Sequence, residues 1–230
     1  MADFLYSPPT DPWLDIIYRD RDTVVINKPS GLLSVPGKVH FDSALQRLQA
    51  QEERCYAVHR IDMDTSGLLV FALRRKAERA FHRQFRERLI RKVYIALVDG
   101  HVEPSHGHVD LPLRRVGGHP PRSAVDPESG KPARTEFHVL EHYDGRTLLA
   151  LKPYTGRSHQ LRIHMLCLGH PIVGDRIYNP SIEPDQRLML HAHQLSYFHP
   201  FTQNPVHLSC LPLETDFRQL FHDLGGRDAF

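Results

Sequence analysis

Two carboxylates, Asp62 and Asp64, stand just after Arg60 in the stretch HRIDMDTSGLLVFAL, His59 to Leu73. An aspartate has a reference pKa of about 3.9 and stays anionic beside a cation, so either residue can serve as a nucleophile or a base. Either can equally be half of a surface ion pair, which contributes about 0 to 1 kcal/mol. Asp64 can also cap a turn over Thr65 to Gly67. Residue type and spacing leave the two open.

A second group is KPYTGRSHQLRIH, Lys152 to His164. Thr155 and Gly156 make a tight turn, and the helix after it carries His159, Gln160, Arg162 and His164. A positive helix N-terminus together with Arg157, His159 and Arg162 suits a phosphate or a carboxylate. His159 and Arg162, at i and i+3, are neighbours on one face. The plain alternative is a solvated basic face. In HAHQLSYFH, His191 and His193 share one face of a strand, but no carboxylate is placed with them and HxH alone is a weak pattern, so no metal site is assigned. Tyr94 reads as a core aromatic on a half-buried strand. NKPSGLLSVPG, Asn27 to Gly37, is either the floor of a cleft or a strand turn.

The elements that position these groups come from a chain of 230 residues and 26.5 kDa, enough for one large domain or two small ones. An apolar fraction of 40% and a charged fraction of 24% exclude disorder over the whole chain. No stretch offers eighteen uninterrupted apolar residues and the first residues lack a secretory pattern, so the expectation is a soluble, cytoplasmic protein. The three cysteines form no CxxC pair and suggest neither a disulfide framework nor a thiolate zinc site. Net charge is only +2, yet Arg74 to Lys92 holds nine Arg or Lys against two Glu. The 17 histidines add to that reserve, since a neighbouring phosphate favours their protonated form.

Residues 1–18 read as a proline-bearing arm. Strands are expected at Thr23 to Asn27, Gly67 to Leu73, Lys92 to Asp99, Arg134 to His142, Thr147 to Lys152 and Arg187 to Phe198. A short helix spans Phe41 to Gln51 with Asp42 or Ser43 as N-cap. The clearest helix is Lys76 to Arg88, with Ala77, Ala80, Phe81 and Phe85 on one stripe. Another runs from Ser158 to Leu168 before Gly169. Val102 to Lys131, rich in proline and glycine, is a long irregular connection with a short strand at His108 to Leu113. Residues 216–230 form a weak amphipathic helix or a fraying tail. Mixed order without regular βαβ alternation indicates an α+β fold with a largely antiparallel mixed sheet flanked by helices and loops.

Four separated pieces, NKPSGLLSVPG, HRIDMDTSGLLVFAL, RKVYIALVDG and LKPYTGRSHQLRIHMLCLGHPIVGD, resemble the motifs of the RluA family of pseudouridine synthases. The long signature HRxDxxTSG and the family's order and distances are kept over roughly residues 5 to 213. Ile61 stands where the family usually carries leucine, an apolar swap of equal size. The short arm resembles the compact type that lacks an S4-like RNA-binding domain.

The resemblance implies a catalytic domain over 19–215 with two subdomains around a central cleft. It places the family's catalytic aspartate on Asp62, its active-site tyrosine on Tyr94 and its aspartate-pairing arginine on Arg162. It implies isomerisation of uridines in 23S rRNA, extending to a tRNA anticodon stem-loop, without cofactor or metal; a monomer is the separate expectation. A uridine must leave its stack to be reached, and Arg60 is the candidate wedge for the gap. Backbone contacts are expected from Lys28, Arg83, Arg86, Arg114, Arg115, Arg122, Lys131, Arg134, Lys152, Arg157, His159 and Gln160. The rival readings are an RNA-binding or ribosome assembly factor that keeps this fold without catalysis, and a hydrolase that holds a metal through its histidines.

Overall fold

The computed structural model describes residues 6–118, 121–179, 181 and 186–222. The chain divides into two compact units, residues 1–90 with 192–213, and 91–191 with 214–230.

In the first unit, β1 (Asp15–Arg19), β2 (Thr23–Lys28) and β4 (Ser66–Ala72) form successive antiparallel pairs, with α1 (Ala44–Gln49) and the short β3 (Tyr56–Ala57) between the last two in sequence. β2 and β4 are buried at every position. Side chains alternate across a strand, so a strand covered on both faces reads as an unbroken apolar run. On one face Val25, Leu68 and Val70 pack with Ala77 and Phe81 of α2 (Arg75–Arg86). On the other, Val24, Ile26, Leu69 and Phe71 pack with Ala44 and Leu48 of α1. Burying one such Phe or Leu stabilises the fold by roughly 1.5–3 kcal/mol. Ser43 caps α1, its hydroxyl accepting the amide of Gln46.

The second unit holds β5 (Arg91–Asp99), β6 (His106–Asp110), β7 (Leu113–Val116), β8 (Arg122–Val125), β9 (Arg134–Tyr143), β10 (Arg146–Pro153) and α3 (Gln160–Cys167). Its sheet runs β5-β10-β9-β6, all antiparallel, while β7 and β8 form a separate hairpin. β11 (Leu190–Phe198) begins in this unit and ends in the first, where it lies beside β4 and pairs with β12 (Pro205–Ser209). α4 (Thr215–His222) closes the described chain.

Several expectations shift. β1 takes in residues placed in the arm, because Asp15 to Arg19 pair with β2. The long connection contains a hairpin as well as a strand. The tail is docked: Phe217 is fully buried, edge-on to His191 and 5.4 Å from the Arg187 guanidinium. Residues 223–230 of that expected tail lie outside the described residues.

Candidate active site

Asp62 opens a β-turn closed by the Thr65 amide donating to its carbonyl at 3.2 Å, with Met63 and Asp64 at the corner. The NKPSGLLS segment is the cradle of that turn. The Gly31 amide and the Lys28 ammonium donate to the Met63 carbonyl at 3.0 and 2.8 Å, and the Ser30 hydroxyl donates to the Asp64 carbonyl at 2.7 Å. Ser34 donates to the Ile61 carbonyl at 2.7 Å and accepts the Ile61 amide at 3.2 Å. Just upstream, His59 accepts the Val70 amide at 3.1 Å, while Arg60 is exposed.

Two expectations are corrected here. Lys28 is completely buried and also donates to the carbonyls of Pro29 and Leu32, so it shapes this loop and cannot reach an RNA backbone. Thr65 to Gly67 is not the turn, since Ser66 already begins β4. Gly67, at φ +109°, is required there because a Cβ would lie 2.4 Å from the Ala192 carbonyl oxygen.

In the second unit, Tyr94 on β5 pairs with Leu151 on β10, which pairs with Phe137 on β9. Paired residues share a face, and so does Thr135, two positions along β9. The Thr135 hydroxyl accepts from the Gln160 side chain at 3.0 Å and lies 2.9 Å from His164 Nδ1. Thus α3, with Arg162, covers the same face that carries Tyr94. Lys92, two residues before Tyr94, shares that face; burial pushes its ammonium down to about 8.

Arg162 is 3% exposed and donates to Asp175 through Nε at 2.7 Å and Nη2 at 2.6 Å. Asp175 also accepts the amides of Ile177 and Tyr178. The Tyr178 ring lies 5.2 Å from the Arg162 guanidinium carbon, and its hydroxyl is 2.8 Å from Nδ1 of His159. Sequence reasoning assigned nothing to Asp175 or Tyr178. The signal available was the aspartate closing the quoted motif at PIVGD.

The expected RNA contacts separate into groups. Gln160 is 4% exposed, with its amide spent on Arg134, Thr135, Thr155 and Arg157, so it fastens the loop before α3 and is not an RNA contact. Arg134 and Lys152 alternate with Thr135 and Leu151 and therefore occupy the sheet face turned away from α3. There they surround Glu136 at 3.8 and 3.9 Å beside Tyr154. Arg157 donates to the Pro132 carbonyl at 3.0 Å. Arg114 pairs with Asp126, whose carboxyl is pushed down to about 2 by bonds from Ser129 together with that arginine. Arg83, Arg86, Arg115, Arg122 and Lys131 are exposed.

His191 is buried, and His193 lies 2.7 Å from the Cys210 carbonyl, with burial lowering its pKa. Among the described residues, Asp20, Asp22 and His199 have the spacing of a cation site. His199 Nδ1 accepts the amides of Phe201 and Thr202, which places the ring hydrogen on Nε2, 3.1 Å from Asp20. In that tautomer the ring offers a cation no lone pair. Among the described residues no helix is long and apolar enough to cross a membrane.

Residues 22–166 match the family described as RNA pseudouridylate synthase. The chain is 51% identical over 219 residues to the dual-specificity RNA pseudouridine synthase RluA of Pasteurella multocida, covering 92% of this chain and 99% of that one. It is 52% identical over 206 residues to the protein of the same name from Escherichia coli K12, covering 87% and 94%. The human RNA pseudouridylate synthase domain containing 1 superposes with a TM-score of 0.75 at 30% identity, covering 96% of this chain and 98% of that one. The human domain containing 4 gives 0.71 at 26%, covering 92% and 93%.

Proposed function

The chain belongs to the RNA pseudouridylate synthase family, and on that premise we propose that it isomerises uridines to pseudouridines in two kinds of RNA, 23S rRNA and a tRNA anticodon stem-loop. The relatives named dual-specificity synthases, similar along nearly their whole length, support the pair of substrates. The observation that carries the reading is the cradle of Asp62. A turn held by both backbone and side-chain bonds from a separate loop fixes one half-buried carboxylate, which a mere surface ion pair does not need.

The reaction breaks the bond from uracil N1 to C1′, turns the base, joins C5 to C1′ and releases the C5 hydrogen as a proton. N1 gains a proton, so there is no net redox change and no hydrolysis. Asp62 supplies the anionic oxygen required as N1 departs, by attack or by promoting base loss. Arg162, held by Asp175, is the cation that the family motif assigns to that carboxylate, with an electrostatic and positional role. Tyr94 packs against the uracil, and its hydroxyl assists proton transfer.

Arg60 fills the gap left by the extruded nucleotide. Arg83, Arg86, Arg115, Arg122 and Lys131 hold the backbone, in a single-stranded loop whose bases are open to readout. The protein acts as a cytoplasmic monomer, with its catalytic domain over 19–215. An RNA-binding factor without catalysis is not favoured, because Asp62, Tyr94 and Arg162 are all present.

Pseudouridine mapping by carbodiimide adducts and primer extension, on RNA from cells lacking the gene, tests this. Defined sites in rRNA and tRNA should disappear and return with the wild-type gene but not with Asp62→Asn. Unchanged maps would refute the proposal.

A further inference from the structure

The Tyr178 hydroxyl stands where three parts of the second unit meet. Its ring lies beneath the Arg162 guanidinium, and its oxygen is 2.8 Å from His159 Nδ1. The Ser123 amide donates to that oxygen at 2.9 Å, and the Ser123 carbonyl is 3.2 Å away. Ser123 lies on β8 of the hairpin. The register pairs Arg114 with Ala124 and Val116 with Arg122 on one face, and Leu113 with Val125 on the other. The second face packs on Ile163 of α3 and on Tyr178. The first presents Arg114 and Arg122 outward.

A hydroxyl has one hydrogen to give. When His159 Nδ1 accepts it, the hydroxyl holds the hairpin only by accepting the Ser123 amide. When Nδ1 carries its own hydrogen, it donates to the Tyr178 oxygen, and the hydroxyl turns to the Ser123 carbonyl, so the hairpin gains a second bond. His159 sits at the N-cap of α3 at φ +57°, a left-handed conformation uncommon outside glycine that the surroundings must impose. A strained histidine, a buried arginine and the hairpin thus meet on one side chain.

We infer that Tyr178 is a positioning residue that couples the hairpin's grip on RNA to the placement of Arg162. This coupling rests on the RNA isomerase reading and adds the device that makes arginine placement depend on bound RNA. Tyr178→Phe keeps the ring under Arg162 and removes every hydroxyl bond. Tyr178→Leu removes the ring as well.

Steady-state tritium release from 5-³H-uridine RNA, with hydrogen exchange of the hairpin amides, separates these effects. Tyr178→Phe should raise KM about fivefold, the equivalent of one hydrogen bond, lower kcat less than threefold, and speed exchange at Ser123. Tyr178→Leu should lower kcat more than tenfold. Arg122→Ala, on the outward face, should raise KM in the wild type, and by a clearly smaller factor in Tyr178→Phe. Wild-type KM in Tyr178→Phe, or effects that simply multiply, would overturn the inference. A merely structural role would shift the urea midpoint and leave KM and kcat unsplit, which also overturns it. Inactivity of the wild-type protein would instead defeat the functional reading itself.

Discussion

Arg162 and Asp175 form a two-bond ion pair within the second unit, at 2.7 and 2.6 Å, with side chains 3% and 0% exposed. Two parallel N–H···O bonds in a desolvated pair hold the planar guanidinium in one orientation.

Removing the aspartate's charge should therefore be costly. Asp175→Asn keeps the shape but takes from a buried guanidinium the carboxylate that fixes it, and a loss of about 3–5 kcal/mol in urea unfolding is expected, with kcat reduced. A variant within about 0.5 kcal/mol of wild type would show that the pair does not hold Arg162.

The cradle of Asp62 makes a second prediction. Ser34 is 3% exposed and serves both the amide and the carbonyl of Ile61. Ser34→Ala leaves both groups unsatisfied, so a stability loss of about 1–3 kcal/mol is expected, with a fall in kcat larger than any change in KM. An unchanged kcat would mean that the Asp62 turn stands without this loop.

Lys92 gives a pH prediction. Its ammonium is pushed by burial from 10.5 down to about 8. Between those values the unfolded chain binds the extra proton, so wild-type stability should rise with pH there. Below pH 8 the folded state carries the burden of a partly desolvated charge. Lys92→Met is thus expected to be more stable than wild type at pH 7, with the gain shrinking by pH 10 in urea titrations. A gain equal at both pH values would contradict the assignment to desolvation.

The exposed arginines of α2 should appear in the salt dependence of RNA binding. If Arg83 and Arg86 each neutralise one phosphate, Arg83→Ala or Arg86→Ala flattens the log–log slope by roughly 0.7–0.9. Arg114→Ala is expected to leave the slope nearly unchanged, since Asp126 already neutralises that guanidinium. Equal flattening by all three would place Arg114 on the RNA.

The elements legible in the sequence were those with an unmistakable burial pattern. Val24 to Ile26 and Leu68 to Ala72 are apolar runs because both faces of their strands are covered. α2 showed its stripe through Ala77 and Phe81. The β7–β8 hairpin did not show itself: Leu113 to Val116 is four residues long, cationic in the middle, and flanked by proline and glycine. Asp62 stood out from Asp64 only through the family motif. Asp175 was silent because its partner is thirteen residues away across a loop, and only tertiary structure brings them together. Lys28 and Gln160 misled for a related reason: a polar side chain that satisfies backbone groups internally has the same letter as one that faces RNA.

The central claim is that Asp62, and not Asp64, carries uridine isomerisation. Tritium release from 5-³H-uridine RNA transcribed without modification tests it most directly. Wild-type protein should release tritium, Asp62→Asn should release none while still binding the RNA, and Asp64→Asn should retain most of the activity. Release by Asp62→Asn, or equal loss in both variants, would contradict the account.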